Sequence, residues 1–372
     1  MDALEVTRKL ISFNTINPPG QEQDCATYLG KMLEDGGFKT RYYPFAEGRP
    51  NVIATIDGGG DKSPICFTGH MDTVPLGDTR WEHDPFSGER DGDKIYGRGA
   101  TDTKGGVAAM VMAALDVAKS SLRKAGITLV ITAGEETGCE GALHLTQLAG
   151  ALGRAGAMVI VEPTSNYPLV AHKGALWLDA STTGVTAHGS MPEEGVNAIY
   201  KAARAAVKLE KFRFNVPAHP LLGAPTLNVG RISGGKNYNI VPDSTVIGID
   251  IRTIPGQNNR QVLNELRSCL GEDVEVKPVI DVGGISTDPD HPWMQDIFKI
   301  MEKYIKESAV ARGATYFTDG SALTPAYGNP PTVVLGPGEP AMAHKTDEFC
   351  YISKIEDATA AYTEIARQWC HG

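Results

Sequence analysis

Along the first 170 residues, short apolar runs alternate with longer segments of helical period. The runs beginning Ile65-Cys66-Phe67, spanning Ile127 to Ala133 and spanning Ala157 to Val161 are too short for helices and predict buried strands. Lys39 to Tyr43 and Asn51 to Asp57 predict two more. Apolar positions three or four apart predict helices between them. One occupies the N-terminus and ends before Pro18-Pro19; another runs from Glu22 to Glu34 and stops at Gly36-Gly37. Two more cover Val107 to Lys119 and Ala142 to Leu148, whereas Trp81 to Arg98, broken by Gly and Asp, reads as loop. Strands alternating with helices imply a mostly parallel sheet covered on both faces. Such sheets bind ligands beyond the carboxyl ends of their strands. His70, Glu135, Glu136 and Glu162 each fall just past a predicted strand end.

From about Gly174 the pattern changes. Strands are predicted at Ala175 to Thr182, Thr226 to Ile232, Thr245 to Ile251 and Val274 to Val279, with helices at Gly195 to Lys211 and Asn259 to Leu270. That β-α-β-β-α-β order is the ferredoxin-like one. After about Gly284 the earlier style resumes, with a helix at Pro292 to Lys306, a strand at Thr332 to Leu335 and a closing helix at Ile355 to Cys370. The expected organisation is a three-layer α/β/α domain in two segments, 1–173 and 285–372, interrupted by an α+β domain at 174–284.

Composition narrows the function. A chain of 372 residues is long for one core, so two domains are expected. The net charge of −10 argues against nucleic acid as the main partner. The first residues lack an apolar signal core, and no window reaches the apolar length of a membrane span. Six cysteines without metal-type spacing point to a reduced, cytoplasmic protein.

Six candidate ligands, with Asp72 beside one of them, then carry the chemistry. His70 and Asp72 are two apart after a strand, so both can face one spot, with the carboxylate accepting the ring's second N–H. Asp102 lies in the glycine-flanked turn GRGATDTKGG; Glu135 and Glu136 close a strand in GEETG; Glu162 follows another; His344 sits in GPGEPAMAHKTDE. One by one, each has a plain reading as a strand-end histidine or a solvated acidic turn. Together, two histidines and several carboxylates suit zinc, with cobalt or manganese as alternatives. A pair of such ions roughly 3.5–4 Å apart is the standard clamp for metal-assisted hydrolysis. Because neighbouring side chains diverge, one of Glu135 and Glu136 can ligate while the other serves as general base.

The strings GHMDTVP, GRGATDTKGG, GEETG, VEPT, HGSMPEEGVNAI, NYNIVPD, DIR and GPG…AHKTDE, in this order, resemble the M20 metallopeptidase family. That family includes acetylornithine deacetylase, succinyl-diaminopimelate desuccinylase, aminoacylase and the glutamate carboxypeptidases. The resemblance implies one zinc on His70, Asp102 and Glu162 and another on Asp102, Glu136 and His344. It implies a cis peptide after the bridging Asp102, Glu135 as general base and Asp72 as the residue orienting His70. It further implies that the insert is a lid and dimerisation domain, whose His188 stabilises the oxyanion in the partner subunit of a homodimer. Asn239 and Arg252 resemble the substrate-binding pair, Arg252 gripping a carboxylate through two parallel hydrogen bonds. The turn at Asp319-Gly320-Ser321 offers the Gly320 amide to the same carboxylate. The expected reaction is hydrolysis of the amide of a small N-acyl amino acid. A dipeptidase or carboxypeptidase is the alternative within the family, and a non-catalytic member that keeps the fold as a binding or scaffold module is the more distant one.

Overall fold

The computed structural model describes residues 1–120 and 122–372. Two compact units emerge, one from Met1–Ala171, Ser286–Gly313 and Thr318–Gly372, the other from His172–Ile285 and Ala314–Phe317.

The first unit is built on a six-stranded sheet. Its strands run, from one edge to the other, Lys39–Ala46, Arg49–Ile56, Ile127–Thr132, Ile65–His70, Ala157–Ile160 and Thr332–Val334. The last four are parallel; the first two pair antiparallel as a hairpin at the edge. Every residue of Ile65–His70, Ile127–Thr132 and Ala157–Ile160 is buried, which is why these strands read as continuous apolar runs with no alternation. The helix Gly105–Ala118, rich in Gly and Ala, packs closely against the C-terminal helix Ile352–His371. The parallel strands all point their carboxyl ends the same way, so the residues just past His70, Thr132, Ile160 and Val334 share one rim.

The N-terminal helix is shorter than its sequence pattern suggests. It is capped by a reciprocal Asp2–Glu5 box and ends at Ile11, well ahead of the proline pair. Ser12, Asn14, Thr15 and Asn17 compete for backbone hydrogen bonds with their own side chains, which makes them poor helix interiors. Thr15 hydroxyl donates to the Met71 carbonyl at 2.7 Å instead, and Ile16 pairs with Thr73 as a one-residue bridge. The stretch read as loop from Trp81 to Arg98 holds two short strands, Arg90–Asp91 and Lys94–Tyr96, joined by Phe349–Tyr351. Strands of two and three residues are too brief for periodicity to register.

The second unit is a four-stranded antiparallel sheet ordered Thr226–Gly234, Ser244–Arg252, Ala175–Thr183 and Val274–Val282. Numbered along the unit this order is 2-3-1-4, the ferredoxin-like arrangement. Its helices, Ala198–Lys211 and Asn259–Leu270, are each capped by a preceding asparagine, Asn197 and Asn258. Their apolar stripes meet the inward residues of the strands in one core that includes Leu178, Ala202, Leu209, Ile249, Val262 and Leu266. Thr226–Gly234 is an edge strand and largely exposed.

Candidate metal centre

His70 closes its strand fully buried. Its Nε2 lies 3.2 Å from Asp102 Oδ1 and 3.8 Å from Glu162 Oε1. Across Asp102, Oδ2 lies 3.3 Å from His344 Nε2, which is also 3.2 Å from Glu136 Oε2. Asp102 thus presents one oxygen to each histidine. Each of two groups, His70–Asp102–Glu162 and Asp102–Glu136–His344, offers ligand atoms all within 4.8 Å of one another.

The backbone explains how distant residues meet. Glu162 follows by two residues the strand on one side of Ile65–His70, and Glu136 follows by four the strand on its other side. His344 arrives on the loop after the last strand, with a left-handed backbone (φ 64°) that histidine tolerates better than bulkier residues. That loop passes so close to the other ligand loops that it needs glycine. A methyl on Gly336 would lie 2.4 Å from the Glu162 carbonyl oxygen, and one on Gly338 would lie 2.4 Å from that of Thr101. Asp102 itself sits in the turn at Ala100–Lys104, and its peptide to Thr103 is cis.

Glu348, four residues beyond His344, shapes that turn. Its Oε1 accepts the amides of Thr101 (2.8 Å) and Asp102 (3.0 Å), and its Oε2 accepts the Gly99 amide (3.0 Å) and Arg98 Nη1 (2.7 Å). Nothing in the sequence marks Glu348, since an acid in a polar string carries no sign of burial. Asp319, which the sequence offers only as part of a turn, is a buried acid hydrogen-bonded to Thr132, three residues before Glu135.

Asp72 makes more contacts than the one inferred for it. His70 Nδ1 lies 2.9 Å from the Asp72 backbone carbonyl and 3.6 Å from its carboxylate. The carboxylate also accepts the amides of Glu135 (3.1 Å) and Glu136 (3.2 Å), so it shapes the acidic turn as well. Glu135 and Glu136 do diverge: Glu136 joins the ligand group, while Glu135 is buried beside it.

So many buried acids repel one another. Burial drives the carboxyls of Glu135 and Glu162 well above the usual range, Glu162 and Asp102 respectively adding to it, and holds Glu136 at about 7 with Asp102 adding to it. Burial also raises Asp102, but hydrogen bonds from His344 and His70 outweigh it and hold that carboxyl low. The same contacts with Asp102 and Glu136 lift His344 to about 10. Glu136 Oε1 is buried without a hydrogen-bond partner. Divalent cations would invert this logic by stabilising the ionised acids, and the nitrogen and oxygen donors suit zinc-like ions.

The other candidates fall in the second unit, apart from Gly320. His188 is exposed, its Nδ1 2.7 Å from Ser190 Oγ. The Asn239 carbonyl accepts the Gly189 amide at 2.8 Å, so these two loops are neighbours. Arg252 ends its strand with its guanidinium on Asp250, Nε to Oδ1 2.9 Å and Nη2 to Oδ2 3.2 Å, near the rings of Trp177 and Phe317. The Gly320 amide is already donated to Thr318 Oγ1 at 3.0 Å.

A rim of convergent carboxylates and histidines at the carboxyl end of a mostly parallel sheet, with a buried acid at hand, defines a metal-dependent hydrolase. The family model of peptidase family M20/M25/M40 matches residues 66–368, and the chain belongs to that family. It is 30% identical over 405 residues to a probable succinyl-diaminopimelate desuccinylase of Staphylococcus epidermidis, covering 98% of both chains. It is 31% identical over 388 residues to the acetylornithine deacetylase of Proteus mirabilis, covering 99% of this chain and 96% of the relative. Family and relatives make it a hydrolase of amide bonds. Among solved structures, its fold matches an M20 metallo-carboxypeptidase from Sulfolobus solfataricus with TM-score 0.85 at 19% identity, over 99% of both chains. It also matches a dinuclear metal-binding M20 peptidase from Bacillus subtilis with TM-score 0.72 at 15% identity, over 98% of this chain and 96% of that one. Among the described residues, no helix is long and apolar enough to cross a membrane.

Proposed function

We propose that this chain is a di-zinc amidohydrolase that releases an acyl group from a small N-acyl amino acid. The observation that carries this reading is the pair of ligand groups sharing Asp102, one oxygen toward each histidine. His70, Asp102 and Glu162 would hold one ion, and Asp102, Glu136 and His344 the other. When bound, two such cations acidify water and neutralise charge developing on a carbonyl oxygen, with cobalt or manganese able to substitute.

Glu135 takes the proton of the attacking water and passes it to the leaving amine nitrogen. Its burial favours that role, because a carboxyl whose pKa is raised is a stronger base and takes up the water's proton more readily. Arg252 orients the substrate carboxylate, with Asn239 as a further contact, and the Gly320 amide reaches it only by giving up its bond to Thr318 Oγ1. The pairing of Arg252 with Asp250 keeps the guanidinium presented and must loosen or share when the substrate binds. His188 supplies a donor to the oxyanion from the partner subunit of a homodimer. The segment 174–284 then acts as lid and dimerisation domain between catalytic segments 1–173 and 285–372. All six cysteines are free, which supports a cytoplasmic setting.

A release assay comparing acetylornithine, succinyl-diaminopimelate, other N-acyl amino acids and dipeptides tests the reading, alongside metal analysis. Preference for an N-acyl amino acid and loss of turnover on chelation are expected. Preference for dipeptides would favour the peptidase alternative, and activity that survives thorough chelation would overturn the metal mechanism.

A further inference from the structure

We infer that Asn17 is a positioning residue of the hydrolytic site, its one carboxamide tying Asp72 to the turn that carries Glu135 and Glu136. The inference rests on the roles given above to those two acids, and it concerns a residue outside the stretch 66–368 matched by the family model.

The Asn17 side chain is polar but only 3% of the residue is exposed. A buried amide is costly unless its hydrogens are used. Both are used here, and both at the site. Asn17 Nδ2 donates to Asp72 Oδ2 at 2.9 Å and to Thr137 Oγ1 at 2.9 Å. The Thr137 hydroxyl in turn donates to Glu140 Oε2 at 2.8 Å. Asp72 accepts the amides of Glu135 and Glu136. Carboxamide and carboxylate therefore hold three successive residues, 135 to 137, from two sides.

That turn is closed by its own backbone, the Gly138 and Cys139 amides donating to the Glu135 carbonyl (both 2.9 Å), while Asp72 and Asn17 supply its contacts to the segments around them. It is bounded by Gly134 (φ 76°) and Gly138 (φ 109°), which have no side chains to brace it. A general base and a metal ligand on adjacent residues both depend on its shape, and a misplacement of about 1 Å can cost roughly 100-fold in rate.

The segment delivering Asn17 is fixed independently of its side chain. The Asn17 amide donates to the Thr73 carbonyl (2.8 Å), the Thr73 amide to that of Thr15 (3.0 Å), and Lys104 Nζ to that of Phe13 (2.8 Å). Replacing the side chain should leave this backbone in place, so the effect should be local. Aspartate is a poor substitute, because it removes both donors and sets a second carboxylate against Asp72.

The test uses the full-length chain with Asn17→Ala, Asn17→Asp and Thr137→Val. The release assay is combined with cobalt(II) titration followed by visible absorption, and with thermal melting. Asn17→Ala is expected to lower kcat about 10–100-fold, with KM changed less than about twofold and cobalt bound more weakly. Asn17→Asp should lose at least as much, and Thr137→Val, which removes one arm, should lose less. Asn17→Ala with unchanged kcat and cobalt spectrum, or with a lowered melting temperature alone, overturns the inference. Should Asn17→Ala fail to fold, Thr137→Val decides, and an unchanged kcat there overturns it equally. A wild-type chain that hydrolyses no amide overturns the proposed function and this inference with it. A normal wild type beside a normal Asn17→Ala overturns only the latter.

Discussion

Glu135 and Glu136 are chemically identical neighbours, and their surroundings alone divide the roles proposed for them. Glu136 reaches His344 Nε2 at 3.2 Å, whereas the Glu135 side chain lies buried outside both ligand groups. Glu135→Ala should therefore keep both metals and lose about 10²–10⁴ in kcat, measured by metal stoichiometry and turnover on the same sample. Retained turnover would remove it as the base. The metal-free site also makes a prediction about pH. Glu136 titrates at about 7, raised by burial and by Asp102, and His344 at about 10. Both folded values lie above the unfolded ones, so their stabilising effect is full below the unfolded values and fades as pH rises through the folded ones. Chelated protein should thus melt at lower temperature at pH 8 than at pH 5, and Glu136→Gln should flatten the change between about 4.5 and 7. Metal uptake should release protons and weaken as pH falls through about 7, read by calorimetry in buffers of different ionisation enthalpy.

Among the elements, the turn at Ala100–Lys104 is the one most dependent on a distant partner. Three of its flanking and internal amides and the Arg98 guanidinium converge on the Glu348 carboxylate, which arrives from the far end of the chain. Glutamine retains the shape but turns an NH2 group toward donors, leaving some of them unpaired and Arg98 without its countercharge. Glu348→Gln should weaken metal binding about 10–100-fold, checked by titration with a competing chelator. Wild-type affinity would mean that the turn holds its shape unaided.

For the whole molecule, the proposed reaction draws on both units, since the ligand groups lie in one and His188 and Arg252 in the other. Arg252→Ala should raise KM for carboxylate-bearing substrates with a smaller change in kcat, and Arg252→Lys should rescue only in part, because a lysine cannot pair bidentately. The homodimer proposal predicts that specific activity falls on dilution together with the dimer peak in gel filtration. Full activity in a monomeric sample would show that no partner His188 is needed.

Much of this was legible along the chain because it depends on periods and strand ends. The buried parallel strands, the β-α-β-β-α-β insert and six candidate side chains beside strand ends or turns follow from apolar patterning and motif order, which are local properties. Which oxygen of Asp102 faces which histidine, that Asp72 holds the acidic turn more closely than the His70 ring, and that Arg252 already carries Asp250 required three dimensions. The same is true of Glu348, Asp319 and Asn17. Their residue types are ordinary on a surface, and only burial against backbone amides or other acids, set by packing between segments up to hundreds of residues apart, makes their hydrogen bonds matter.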